Sequence, residues 1–236
     1  MILSELFDQL TYGELSDKAI GGKGDGGIKV GDYPQIVLHL NAGLKDLHTR
    51  LPMRFEEILI TQYDHIQTYY LRPEFAMTNT DSVEPVKYIM DSIYQPFLDN
   101  VIKVEQVFSE DGEERPLNDP SMPYSVWTPK YNSISIPFND PDNTFSVIYR
   151  SNHEKIVINE LFQPSQVEID IPAWIEEALL IFIAGRVIGN TLSADNLNTS
   201  SYYTNRYELA IKLVEQHNLI NQEAATNRQV HRNGWV

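Results

Sequence analysis

Ala173-Trp174-Ile175-Glu176-Glu177-Ala178-Leu179-Leu180-Ile181-Phe182-Ile183-Ala184-Gly185-Arg186-Val187-Ile188-Gly189 is the stretch on which the fold turns. It follows Pro172, carries two acids where a helix N-terminus favours negative charge, and has no break before Gly185. Its centre, Ala178 to Ala184, is apolar all round. A helix without a polar face must be covered on every side. Seven apolar residues are far too few to cross a bilayer, so the cover has to be protein.

Working outward, the sequence offers candidates for that cover. Ile36, Leu40, Leu44, Leu47 and Leu51 recur at steps of four, four, three and four, which predicts a helix over about 33–51. Asp32 is placed to cap it, Pro34 falls in its first turn, and Pro52 ends it. Leu3, Leu6, Phe7 and Leu10 predict a short helix at the start of the chain. A last helix is expected over about 202–217, capped by Ser200 or Ser201, with Tyr203, Tyr207, Ala210, Val214 and His217 as its stripe. Gly21-Gly22-Lys23-Gly24-Asp25-Gly26-Gly27 reads as a loop.

Between the helices the period shortens. Phe55 to Tyr70 is rich in Ile, Thr, Phe and Tyr, and Val101 to Phe108 reads as a strand. Asp111-Gly112 suits a hairpin turn, with Arg115 to Leu117 returning. Ser125–Trp127, Ser133–Ile136 and Thr144–Tyr149 are further short strands, while Val86 to Leu98 is ambiguous and could form a short helix. The expected fold is therefore α+β: a helical bundle from the N- and C-terminal helices, a small β-rich insertion domain and an extended C-terminal tail. The expected boundaries are 1–52, 53–158, 159–217 and 218–236.

The chain has 236 residues, 42% of them apolar, and a net charge of −15. That charge opposes nucleic-acid binding by the whole surface. It is uneven: residues 74–122 hold eleven acids against three bases, Lys87, Lys103 and Arg115. There is no cysteine, which excludes disulfides, thiolate metal sites and cysteine nucleophiles. The acidic opening, Met1 to Asp8, is not expected to act as a secretory signal.

Motifs for chemistry are sparse. Gly22 to Gly27 matches G-x-G-x-x-G in letters, but the strand before it and the helix straight after it are missing. The adjacent acids Glu56-Glu57, Glu113-Glu114 and Glu176-Glu177 point different ways and are expected at the surface. His39 and His48 fall off the helical stripe and are expected to be exposed; the six histidines form no metal spacing. No G-x-S-x-G elbow occurs. Thr226 to Val236 cannot bury itself, yet it contains Arg228, Arg232 and Trp235, residue types that anchor interfaces.

Many short segments, in order along the chain, carry a likeness. They are Met1-Ile2-Leu3-Ser4-Glu5-Leu6; Tyr33-Pro34 with Leu40-Asn41-Ala42-Gly43-Leu44; Val104-Glu105-Gln106-Val107 with Glu110-Asp111-Gly112-Glu113-Glu114; Val126-Trp127-Thr128-Pro129-Lys130-Tyr131-Asn132; Glu177-Ala178-Leu179 with Ala184-Gly185-Arg186-Val187; and Arg232-Asn233-Gly234-Trp235-Val236. In this the chain resembles the head-to-tail adaptor proteins of tailed bacteriophages, the group that includes the tail tubular protein A of short-tailed phages. The resemblance implies a ring, commonly of twelve copies. The ring would sit beneath the portal, extend the DNA channel and offer a docking surface to tail tube or nozzle proteins. It implies a virion location in the neck, host cytoplasm during assembly, DNA passing without specific binding, no membrane, no cofactor and no catalytic residue. Portal binding is carried to Arg228, Arg232, Trp235 and Val236. The alternatives are an acidic wall- or carbohydrate-degrading hydrolase with two carboxyls across a cleft, or another neck or tail-tube component.

Overall fold

A computed structural model of the chain describes residues 1–16, 28–138, 143–189, 194–217 and 219–220. The described chain divides into two compact units, Met1–Leu51 with His153–Ile220, and Pro52–Asn152.

The first unit holds four α-helices: α1 (Leu3–Tyr12), α2 (Tyr33–Arg50), α3 (Glu176–Gly189) and α4 (Ala194–Gln216). The apolar helix α3 is their hub and packs against α1, α2 and α4. Two glycines let the backbones approach. A Cβ on Gly43 of α2 would lie 2.8 Å from Leu179 Cδ1 and 2.9 Å from Phe182 Cδ1, and one on Gly185 of α3 would lie 3.0 Å from Tyr203 Cβ on α4. Before α3 the chain runs as a strap over 153–171. The Asn41 side chain latches it to α2: Nδ2 donates to the Ile156 carbonyl (2.9 Å) and Oδ1 accepts the Ile156 N–H (3.0 Å). The first residues bond to the same strap, Leu3 N–H to Val167 O (2.9 Å) and Ile169 N–H to Met1 O (2.8 Å).

The second unit is built from β1 (Phe55–Thr61), β2 (Thr68–Tyr70), β3 (Ile89–Met90), β4 (Val101–Ser109), β5 (Glu114–Arg115), β6 (Trp127–Lys130), β7 (Ser133–Ser135) and β8 (Thr144–Ser151). These form a five-stranded sheet in the order β3-β1-β8-β4-β5 and a three-stranded sheet in the order β2-β7-β6, all antiparallel. Ile60, Val107, Val147 and Ile134, all fully buried, belong to one core. Gly112 turns the β4–β5 hairpin with φ +77°, the conformation that Asp-Gly foreshadows.

This architecture corrects the expected fold class. The β part is no small insertion but a two-sheet unit of eight strands. The helices make no bundle of chain ends. The ten-residue α1 lies mainly on a 3₁₀ turn at Pro164–Gln166, and α2 and α4 cover α3 instead. The physical reason is that α3 needs cover all round and short helices leave part of it to irregular chain. The expected extended tail, 218–236, falls almost wholly outside the described residues.

Smaller corrections follow. Val86–Leu98 forms β3 and a tight turn, not a helix. Its side chains compete for the backbone: Asp91 accepts the N–H groups of Thr78 (2.9 Å) and Phe97 (3.0 Å). Helix α4 starts at Ala194, so Ser200 and Ser201 lie inside it. Their hydroxyls donate to the carbonyls of Gly185 (3.0 Å) and Leu197 (3.0 Å). Asp32 stands at the N-cap of α2 as expected, but its side chain makes no cap hydrogen bond there; the carboxylate accepts the Lys29 N–H (3.0 Å) instead.

Candidate functional site

The residues to which portal binding was carried, Arg228, Arg232, Trp235 and Val236, lie outside the described residues, as does the glycine-rich stretch 21–27. Two cavities and one turn tip stand out among the described residues.

The first cavity, about 350 Å³, lies between α2, α3 and α4. Arg50 on α2 donates through Nη1 to both oxygens of Glu208 (2.8 and 2.9 Å) and pairs through Nε with Asp46 (3.0 Å). The Tyr207 hydroxyl donates to Asp46 (2.6 Å). Burial, then the hydrogen bond to Asp46, pushes the Tyr207 phenol far above its usual range. For Arg50, burial pulls downward, but the Glu208 hydrogen bond and the charge of Asp46 outweigh it and the guanidinium is held more firmly protonated. Two carboxylates share one cleft, as a hydrolase would require, yet one guanidinium ties both. The arrangement clamps α2 to α4.

The second cavity, about 280 Å³, belongs to the β unit and opens by the β4–β5 hairpin. Its walls include Glu110, Asp111, Arg115, Tyr124, Phe138 and Phe145. Tyr124 and Phe138 meet with ring centroids 5.9 Å apart, and the Arg115 guanidinium stands 5.5 Å from the Tyr124 centroid. Arg115 Nε is buried and has no hydrogen-bond acceptor, and Arg115 makes no ion pair among the described residues. A buried donor without an acceptor costs roughly 1–3 kcal/mol.

The third feature is the turn Ser92-Ile93-Tyr94-Gln95, directly after β3. Ser92 and Gln95 bond to each other in both directions, N–H to O at 3.3 and 3.1 Å. At its tip Ile93 is 86% exposed and Tyr94 is 100% exposed. Asp91 braces its base by accepting the hydroxyl and N–H of Thr78 and the N–H of Phe97. Burial alone would raise the Asp91 carboxyl; those hydrogen bonds outweigh it and hold it below the usual carboxylate range.

Glu56 and Glu57 point different ways, as expected, but only Glu57 is at the surface; the Glu56 side chain is largely covered. Glu56 turns toward Tyr149 O–H (2.7 Å), Asn100 Nδ2 (3.2 Å) and Arg54 Nε (2.9 Å), whereas Glu57 accepts the Ser146 hydroxyl. The histidine expectation is corrected. His48 is only 2% exposed and its ring lies 6.0 Å from that of His153, while His39 is half-buried. Burial, then the charge of Arg186, lowers the His39 imidazole below its ordinary value. Both sit on α2, whose covered face is wider than the leucine stripe alone. Among the described residues no three His, Asp or Glu side chains gather as metal ligands would, and no helix is long and apolar enough to cross a membrane.

The sequence reading missed Arg115, Tyr124, Phe138 and Tyr94. One signal was there to be used: Arg115 is one of three bases in a strongly acidic stretch and follows a hairpin turn. No protein-family model matches the chain. A search of curated proteins also finds no match.

Proposed function

We propose that this chain is a structural subunit of the neck of a tailed bacteriophage, a head-to-tail adaptor. In this reading copies of it ring the channel beneath the portal and present a surface to the tail proteins. The reading starts from the ordered sequence likeness. The structural observation that carries it is the outer stripe of α4, where Tyr202, Leu209 and Leu213 follow one another at steps of seven and four and are each more than half exposed. Large apolar side chains aligned on one face mark a surface that another chain covers. A heterologous contact repeated around a closed ring needs no self-complementary patch, so one face of α4 can meet a different face of the next copy. The charge of −15 keeps free subunits apart until a template collects them. We assign no catalytic role to Asp46 and Glu208, because Arg50 occupies both.

The test is the mass in solution of the chain alone, of portal rings alone, and of their mixture, by light scattering after size exclusion. A complex whose added mass is a multiple of 27.1 kDa set by the portal's symmetry is expected. Leu209→Asp with Leu213→Asp should reduce the number of copies bound at least tenfold while the isolated chain keeps its fold. Failure of the unaltered chain to associate with portal at any ratio would overturn the reading.

A further inference from the structure

The β unit carries a cavity and an exposed turn tip at opposite edges of one sheet. In the order β3-β1-β8-β4-β5, β3 is one edge strand and β5 the other. The Ser92–Gln95 turn follows β3. The 280 Å³ cavity is walled by Arg115 of β5 and by the β4–β5 hairpin. Four strand spacings separate the two edges, about 19 Å. They also lie toward opposite ends of the strands. Met90 pairs with Leu59 and the chain then runs toward the start of β1, whereas the cavity touches Gln62 and Thr144, at the end of β1 and the start of β8. The turn therefore cannot fill the cavity of its own chain.

We propose that the Ile93-Tyr94 tip of one copy seats in the Arg115–Tyr124–Phe138 cavity of the next copy, and that this head-to-tail contact joins neighbours within the ring. The contact rests on the adaptor reading in requiring self-assembly, and it adds the residues that meet. Four observations favour a second copy as the occupant. The cavity, about 280 Å³, stands at the small end of the roughly 300–1,000 Å³ range of ligand sites and has room for one large side chain. A phenol brings a ring to pack on Tyr124 and Phe138, and an oxygen for the Arg115 Nε–H, which has no acceptor among the described residues. The plug is pre-ordered by the Ser92–Gln95 and Asp91 hydrogen bonds, so little freedom is lost on docking. Finally, Ser92 to Leu98 contains no charged residue, so in a chain of net charge −15 this segment can enter a cavity bearing Glu110 and Asp111 without acid meeting acid. Plug and receptor on different edges make the contact heterologous, which propagates from copy to copy and closes into a ring where the rotation between copies, set by the portal in this reading, allows it.

Tyr94 buries about 150–250 Å² when it docks, well below the roughly 800 Å² that each partner gives to a stable interface. Free subunits therefore meet weakly through this contact alone, and the test captures weak encounters. The chain has no native cysteine, so thiols can be set beside the two halves without removing either: Gln95→Cys at the exposed end of the turn and Asp111→Cys on the cavity wall. The full-length double variant Gln95→Cys/Asp111→Cys is treated with a short bis-maleimide, with and without portal rings. A ladder of dimers, trimers and higher species is expected. Gln95→Cys alone should stop at dimers, and Gln95→Cys/Tyr131→Cys, which places the second thiol in the exposed β6–β7 turn, should link at least tenfold less. In a second arm, Tyr94→Ala and Arg115→Ala are mixed. Each lacks one half of the contact, so their mixture should pair but not extend. Equal linking at positions 111 and 131 would overturn the contact. So would full rings on portal from Tyr94→Ala chains, which leaves the adaptor reading standing; absence of any assembly by the unaltered chain with portal removes that reading too. Loss of portal binding by Tyr94→Ala with the self-linked ladder of Gln95→Cys/Asp111→Cys absent would assign the tip to the portal instead.

Discussion

Replacing Asn41 by alanine should loosen the strap that precedes α3 without unfolding α2. Asn41 sits on α2, and its amide spends one donor and one acceptor on the backbone of Ile156, at 2.9 and 3.0 Å. Ile156 itself is buried, so its N–H and C=O have little water to turn to. Two such bonds contribute about 0.5–1.5 kcal/mol each, or about 1–3 kcal/mol together. Alanine returns up to about 0.7 kcal/mol through its higher helix propensity. The net loss is about 0.3–2.3 kcal/mol, which for a chain of this size lowers the melting temperature by about 1–9 °C. Urea unfolding followed by tryptophan fluorescence reads the change, with Trp174 lying between the strap and α3. Asn41→Asp separates the two bonds: it keeps the acceptor for the Ile156 N–H, loses the donor, and sets a charge against the carbonyl. It should therefore be at least as damaging as alanine. An Asn41→Ala protein as stable as the original, or more stable, would refute the latch.

Three further outcomes are expected. Gly185→Ala places a methyl 3.0 Å from Tyr203 Cβ, an atom fixed to the α4 backbone; overpacking of about 1–3 kcal/mol outweighs a propensity gain of at most about 1 kcal/mol, so denaturant midpoints should fall, and a rise would show that α4 can yield. Because folding lowers the His39 imidazole below its ordinary value, the unfolded chain takes up the proton first, so its contribution to stability is flat above pH 6.5 and is lost as pH falls below it. Arg186→Gln removes the smaller cause, and the His39 NMR titration midpoint should rise while staying below 6.5; an unchanged midpoint would remove Arg186 as a cause. Deleting 226–236 should leave a folded chain, by circular dichroism, that no longer joins portal-bearing heads, and normal attachment would end the role assigned to Arg228, Arg232, Trp235 and Val236.

The parts of the fold that sequence makes legible are those whose pattern repeats. Helix α2 shows five leucine-type residues in register, and α3 shows its lack of any polar face; both lie where the pattern places them. The strand β3 has two residues, inside a stretch that sequence leaves ambiguous. A strand that short completes no alternation, so no period can announce it, and its existence depends on pairing with β1; β5, equally short, is legible only because the Asp111-Gly112 turn precedes it. The same limit hid the second cavity. Arg115 comes from β5, Tyr124 from the loop before β6 and Phe138 from the segment after β7, and only the pairing of sheets brings them together. His48 was misplaced for a related reason. A helix packed on more than one side buries residues outside its main stripe, and the stripe is all that one helix's sequence reveals.

What sequence does carry, once the fold is known, is charge. Eleven acids and three bases over 74–122 would make any contact between two copies of this stretch repulsive. Within it, Ser92 to Leu98 stands uncharged, and Arg115 stands without an acid at ion-pair distance among the described residues. A surface selected only for solubility has no reason to place Ile93 and Tyr94 at the tip of a braced turn. It has no reason to leave the buried Arg115 Nε–H without an acceptor among the described residues either. The proposed contact between chains would answer both exceptions at once, covering the exposed tip and giving that donor an oxygen.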